Sequence, residues 1–111
     1  MTARAAALDE HLRFAIAHRR LIQLSYGGHL RVVEPHDYGV KNGVVMLLGY
    51  QVRGGSASRG DAKGWRLLKV ERIDACMVWE TTFAGGRGDE AQAHLEWDEL
   101  FARVVPAPAP R

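Results

Sequence analysis

The stretch Leu30–Val52, LRVVEPHDYGVKNGVVMLLGYQV, decides the fold. It reads as two strands joined at Lys41-Asn42-Gly43, because Asn and Gly both tolerate the positive φ angles of a tight hairpin turn. In the second strand Val44, Met46, Leu48, Tyr50 and Val52 share one face, and Val45 and Leu47 occupy the other. Apolar residues on both faces need cover on both sides, which an isolated hairpin cannot supply. The rest of the chain is therefore expected to wrap this hairpin.

Upstream, residues 5–20 carry a helical pattern, with Leu8, Leu12, Ala15 or Ile16 and Arg19 at 3–4 spacing. Phe14, Ala17 and Leu21 broaden the stripe, so the helix is expected to pack on a sheet. Ile22, Leu24 and Tyr26 then alternate with Gln23 and Ser25, and Gly27-Gly28 makes the next turn. Pro35 removes a ladder donor, so the strand from Leu30 is bent, bulged or at an edge there. Downstream, Arg53–Gly64 (RGGSASRGDAKG) reads as a loop. Trp65–Val70 is a fourth strand, with Arg66, Leu68 and Val70 opposite Trp65, Leu67 and Lys69. After a bend, Ile73–Glu80 makes a fifth. The glycines of Gly85–Asp89 interrupt structure again. Leu95, Trp97, Leu100, Phe101 and Val104 fit a short C-terminal helix within Ala91–Val105, and a loose Pro/Ala tail follows over 106–111. The expected architecture is mainly β: a small, five-stranded, strongly bent barrel preceded by an N-terminal helix, closed because closure removes exposed edges.

A chain of 111 residues with 47% apolar content implies one domain with a modest core, here assigned to residues 1–105. The net charge is only +2, but it is unevenly distributed. Residues 1–72 hold twelve Lys/Arg against six Asp/Glu, and residues 73–111 hold three against seven. Twelve of the fifteen cations are arginines, the side chain suited to bidentate phosphate contact. A basic face for an anionic partner follows as an expectation. Cys76 stands alone, which excludes an intrachain disulfide, makes the cytoplasm the default compartment and reads as buried filler. The N-terminus lacks the apolar run of a signal peptide, and no stretch approaches the roughly 20 apolar residues of a membrane span.

With these pieces in order, the sequence resembles a WYL domain, a ligand-sensing module often found behind a winged helix-turn-helix in bacterial transcription regulators. The resemblance runs over residues 8–83. It rests on AIAHRRLIQLSYGG, with Ala15, Arg19, Arg20 and Tyr26; on RVVEP, with Arg31 and Pro35; on Gly43 followed by VVMLLGY; and on WRLLKVERI, with Arg66, Lys69 and Arg72. The name-giving triplet aligns with Val45-Met46-Leu47, so only its leucine stands, and Glu71 replaces the usual aspartate. No winged helix fits before residue 8. The resemblance implies an Sm-like or SH3-like barrel whose basic face binds a nucleotide, a second messenger or single-stranded nucleic acid, and which forms homo-oligomers.

The candidate ligand-binding residues are Arg31, Arg66, Arg72, Lys69 and Tyr26. Alternation places Arg66 and Lys69 on opposite faces of one strand, and Arg72 shares the parity of Arg66 if the strand runs on unbent. Arg66 and Arg72, with Arg31 across the barrel, form the expected anion site. The plainer alternative pairs these cations with Glu34, Glu71 and Asp74 at the surface. Tyr26, Tyr38 and Tyr50 could stack on a base, although Tyr50 fits core packing better. Val45 and Met46 are expected to pack. His29, His36, His94 and Cys76 lack metal-ligand or triad spacing, and no phosphate-loop motif occurs, so neither catalysis nor a cofactor is expected. Two function classes remain. One is a stand-alone sensory module for a nucleotide or short single-stranded oligonucleotide. The other is a protein-interaction or oligomerisation adaptor without a nucleic-acid ligand. Either could work with a separate DNA-binding regulator chain.

Overall fold

A computed structural model describes residues 2–55, 63–87 and 95–108. Helix α1 (Ala3–His18) leads into β1 (Arg20–Tyr26), β2 (His29–Lys41), β3 (Val44–Gly54) and β4 (Gly64–Lys69). A 3-10 turn (Val70–Arg72), β5 (Ile73–Thr82) and β6 (Glu99–Arg103) follow. The molecule is mainly β with one leading helix, and every strand pairing is antiparallel. Thr2 caps the helix by accepting a hydrogen bond from the Ala5 amide, and Arg19 ends it in the left-handed region at φ 53°. Leu12, Ala15 and Ile16 are buried against the sheet. Phe14, expected to widen that stripe, instead faces solvent and stacks on His18 at 4.3 Å.

Both two-residue turns follow from their residues. Gly27-Gly28 (φ 60° and 78°) and Asn42-Gly43 (φ 51° and 76°) supply the paired positive angles of a type I′ hairpin. The resulting order is β4-β3-β2-β1-β5. β4 and β5 are neighbours in sequence yet lie at opposite ends of this path. Only a three-residue 3-10 turn, rising about 2 Å per residue, joins them. The sheet must therefore curl until its two outer strands nearly meet, which gives the bent barrel.

β2 is the spine. Its first half pairs with β1 up to Val33, and its second half pairs with β6 from Asp37. Pro35 falls in the interval where that edge has no partner strand, so its missing amide donor leaves no gap in the ladder. A register shift against β3 between Pro35 and Asp37 marks the bulge that bends the strand.

The C-terminal segment departs from its expected form. Residues 99–103 form strand β6, not a helix, and Phe101 and Ala102 pack against the core. Gly39 makes this approach possible, because a Cβ there would strike the backbone oxygen of Glu99. The other part of the expected helix, residues 91–94, lies outside the described residues, as do 56–62 of the glycine-rich loop and 109–111 of the tail. The start of that tail is held in place: Pro106 bridges Gly86, and the Ala107 amide donates to the Gly86 carbonyl at 3.0 Å.

Two buried acids fasten the C-terminal segments to the bend of β2. Arg87 grips Glu34 through two bonds of 2.9 and 3.0 Å, and Arg103 grips Asp37 through two of 3.0 and 3.2 Å. His36, fully buried, lies between Trp65 (4.8 Å) and Phe83 (5.5 Å) and meets Glu34 at 3.4 Å. Burial alone would raise the pKa of Glu34, but the hydrogen bonds from His36 and Arg87 outweigh it and hold the carboxyl below its ordinary value of 4.5.

Two outcomes follow. Gly39→Ala should destabilise the fold by about 2 kcal/mol, because backbone rather than a flexible side chain must move, and a lowered urea midpoint would register it. The depressed Glu34 value means that its contribution is complete above pH 4.5 and is lost as pH falls through the lower, folded-state value. Urea midpoints measured on the acid side of pH 4.5 should therefore fall less steeply in Glu34→Gln than in the parent.

Candidate functional site

Strand alternation lays out the inner wall of the barrel. Leu47 opposite Leu68 is core; the next inner pair is Gly49 opposite Arg66, and the next Gln51 opposite Gly64. On β2, Val33 is followed toward the same end by Arg31, which pairs with Leu24 of β1. The apolar interior therefore changes to a polar mouth formed by Arg31, Gln51, Arg66 and, from the end of β1, Tyr26. Gly49 carries no side chain here because a Cβ would collide with Val33 Cγ1.

Arg31 is only 8% exposed. Its Nη1 donates to Gln51 Oε1 at 3.1 Å, its Nη2 donates to the Tyr26 carbonyl at 3.3 Å, and its guanidinium lies 5.5 Å from the Tyr26 ring centre. Its Nε is buried without a hydrogen-bond partner, and no carboxylate pairs with it among the described residues. Burial and the nearby Arg66 charge both lower its pKa. Gln51, fully buried, turns its amide so that Nε2 donates to the carbonyls of Gly54 and Gly55 at 3.1 and 3.4 Å, which leaves Oε1 aimed at Arg31. Arg66 Nη1 donates to the Trp65 carbonyl at 2.9 Å.

Of the five candidates, the structure groups Tyr26, Arg31 and Arg66. Lys69 takes part through its backbone: its amide donates to the Tyr26 hydroxyl at 3.1 Å, which ties the end of β1 to β4 across the seam. Tyr26 is thus a structural bolt as well as a wall of the mouth. The 3-10 turn breaks the strand before Arg72, which is exposed and off the register of β4, so the expected pairing of Arg66 with Arg72 gives way to Arg66 with Arg31, whose charges act on one another. The acids proposed as neutralising partners are otherwise placed. Glu34 holds Arg87, Asp74 meets Arg4 at 3.4 Å, and Glu71 pairs with no residue among those described. Gln51 escaped the sequence reading, since a lone glutamine near a strand end carries no signal. Tyr38 is core, and Tyr50 stacks edge-on against Trp65 at 5.4 Å. Cys76 is half-buried, and burial pushes its thiol up to about 11. Among the described residues, no cluster of three or more His, Cys, Asp or Glu could hold a metal ion, and no helix is long and apolar enough to cross a membrane.

No family model matches the chain, and no curated protein matches it. A solved structure does: proteasome accessory factor B/C (PafBC) of Arthrobacter aurescens, at TM-score 0.59 and 20% identity over 78% of this chain. The likeness is one of fold. This chain spans 14% of that protein's length.

Tyr26→Phe removes the acceptor for the Lys69 amide at the seam and should lower stability by about 1 kcal/mol. Amide exchange at Lys69 should speed up well before global unfolding, and unchanged protection there would contradict the bolt.

Proposed function

We propose that this chain is a regulatory, ligand-sensing module. In this reading the barrel mouth takes an anionic, phosphate-bearing ligand: a nucleotide, a second messenger or a short single-stranded nucleic acid. It is a binding module and not an enzyme. The observation that carries the reading is Arg31, a desolvated guanidinium with an unused Nε, a like charge beside it and no acid to neutralise it among the described residues. A buried cation without a counter-charge is costly, and a bound anion would offset both the desolvation and the repulsion from Arg66. Perturbed groups of this kind cluster at functional sites. Phosphate oxygens are well matched by guanidinium donors. Lys69 and Arg72 then add positive charge that draws the ligand in without fixing it. The regulatory half of the reading rests on the sequence resemblance to WYL domains, and the likeness in fold to proteasome accessory factor B/C agrees with it.

Fluorescence anisotropy with a labelled thymidylate pentamer, and thermal shift with ATP, a cyclic dinucleotide and pyrophosphate, test the reading. At least one should bind, with affinity falling as salt rises. Arg31→Gln combined with Arg66→Gln should weaken that binding by about 100-fold, the loss of two charge-assisted contacts. Arg72→Gln should change it by less than about threefold, as for an exposed charge. A double variant that binds as tightly as the parent would refute the site.

A further inference from the structure

We infer that the groove between the start of α1, the start of β3 and the 3-10 turn is a second binding site, for a small zwitterion with an apolar body: the chemistry of an apolar α-amino acid. The groove encloses about 370 Å³ and shares no residue with the barrel mouth. Small-molecule sites run from roughly 300 to 1,000 Å³, so a single compact molecule fits. Its apolar walls come from five elements: Leu8 of α1, Tyr38 of β2, Val45 of β3, Val70 of the 3-10 turn and Ile73 of β5. Val45 was expected to pack, yet it is 37% exposed and leaves the groove open.

Two opposite charges line the same groove and do not meet. Arg4 donates only through Nη2, to the carbonyls of Ile73 and Asp74 at 3.0 and 3.3 Å and to the Asp74 carboxylate at 3.4 Å. Its Nε and Nη1 make no hydrogen bond among the described residues. The Glu71 carboxylate makes neither a hydrogen bond nor an ion pair among them, with Arg4 included. Each charge is therefore available to one end of a zwitterion. The guanidinium can take a carboxylate through its two unused nitrogens, and the Glu71 carboxylate can take an ammonium. Between them, the apolar walls favour an uncharged side chain that leaves water on binding. A purely anionic ligand would face Glu71 unpaired, and a purely cationic one would leave Nε and Nη1 of Arg4, whose Nη2 is held by Asp74, without an acceptor. This charge complementarity selects the zwitterion.

Isothermal titration with L-phenylalanine, 3-phenylpropanoate and 2-phenylethylamine separates the parts. L-Phenylalanine should bind saturably, and each half-ligand about tenfold more weakly, one charge contact fewer. Glu71→Gln should abolish the preference for L-phenylalanine over 3-phenylpropanoate, and Arg4→Gln the preference over 2-phenylethylamine. Val45→Trp fills the groove and should abolish binding of all three with the circular dichroism spectrum unchanged; Val45→Phe serves as the smaller filler if the tryptophan variant does not fold. The Arg31→Gln/Arg66→Gln variant should bind L-phenylalanine as the parent does, so this site stands or falls apart from the mouth. Absence of saturable binding, equal binding of a half-ligand, or undiminished binding in a folded filler variant would overturn the inference.

Discussion

The structure depends on burying nine consecutive residues of one strand, Arg31–Gly39, on both faces. A strand surrounded in this way cannot alternate between wet and dry sides, so each polar group it carries is costly to leave without a partner within the fold. β1, β3 and β6 satisfy its backbone, and the curled sheet with α1 covers its inner face. Its outer face carries Glu34 and Asp37, and the C-terminal segments cover that face by bringing an arginine to each acid. The sixth strand and the bridged segments around Gly86 and Pro106 are therefore parts of one solution to the burial of β2. A buried acid stripped of its arginine would be left as an uncompensated charge, which adds to the packing of Phe101, Ala102 and Val104 in holding these segments to the barrel.

Arg31 breaks this pattern in an instructive way. Three charged residues of β2 lie in the buried stretch; the two acids have arginine partners, and the arginine has no acid partner among the described residues. Its hydrogen bonds go to neutral oxygens of Gln51 and Tyr26, which orient it without cancelling its charge. Gln51 is itself fixed by two carbonyls, so the guanidinium is held in one place by groups that have no freedom to follow it. Such preorganisation is what a binding site needs and what a structural ion pair would prevent.

What could be read from the sequence was whatever depends on near neighbours. Gly27-Gly28 and Asn42-Gly43 declare their turns through backbone freedom alone, and the alternation of β1, β3 and β4 assigns faces directly. Pro35 announced a disturbance, but the change of partner from β1 to β6 was hidden. The spacing of Leu95, Trp97, Leu100, Phe101 and Val104 serves a helix or a strand equally well. The deciding fact is Gly39, some sixty residues away, whose missing Cβ admits the β6 backbone. Arg87 and Arg103 were invisible for the same reason, since their acids lie 53 and 66 positions upstream. On β4, parity put Arg66 and Lys69 on opposite faces, and their register against Gly49 and Met46 agrees. Extending that parity to Arg72 failed because a 3-10 turn resets the side-chain period from two to three.

The same reset connects the two ends of the molecule. The turn at Val70–Arg72 has to be short for the sheet to close, and a tight turn leaves Val70 and Glu71 facing the start of α1 instead of continuing the wall of β4. On the near side of the turn, Lys69 ends a strand whose inner positions pass from Leu68 to the cation of Arg66. On the far side, Ile73 starts a strand whose carbonyl is capped by Arg4. Closing the barrel at this seam therefore creates two chemically unlike surfaces within a few residues: a mouth lined with cations that repel one another, and a groove in which opposite charges stand apart.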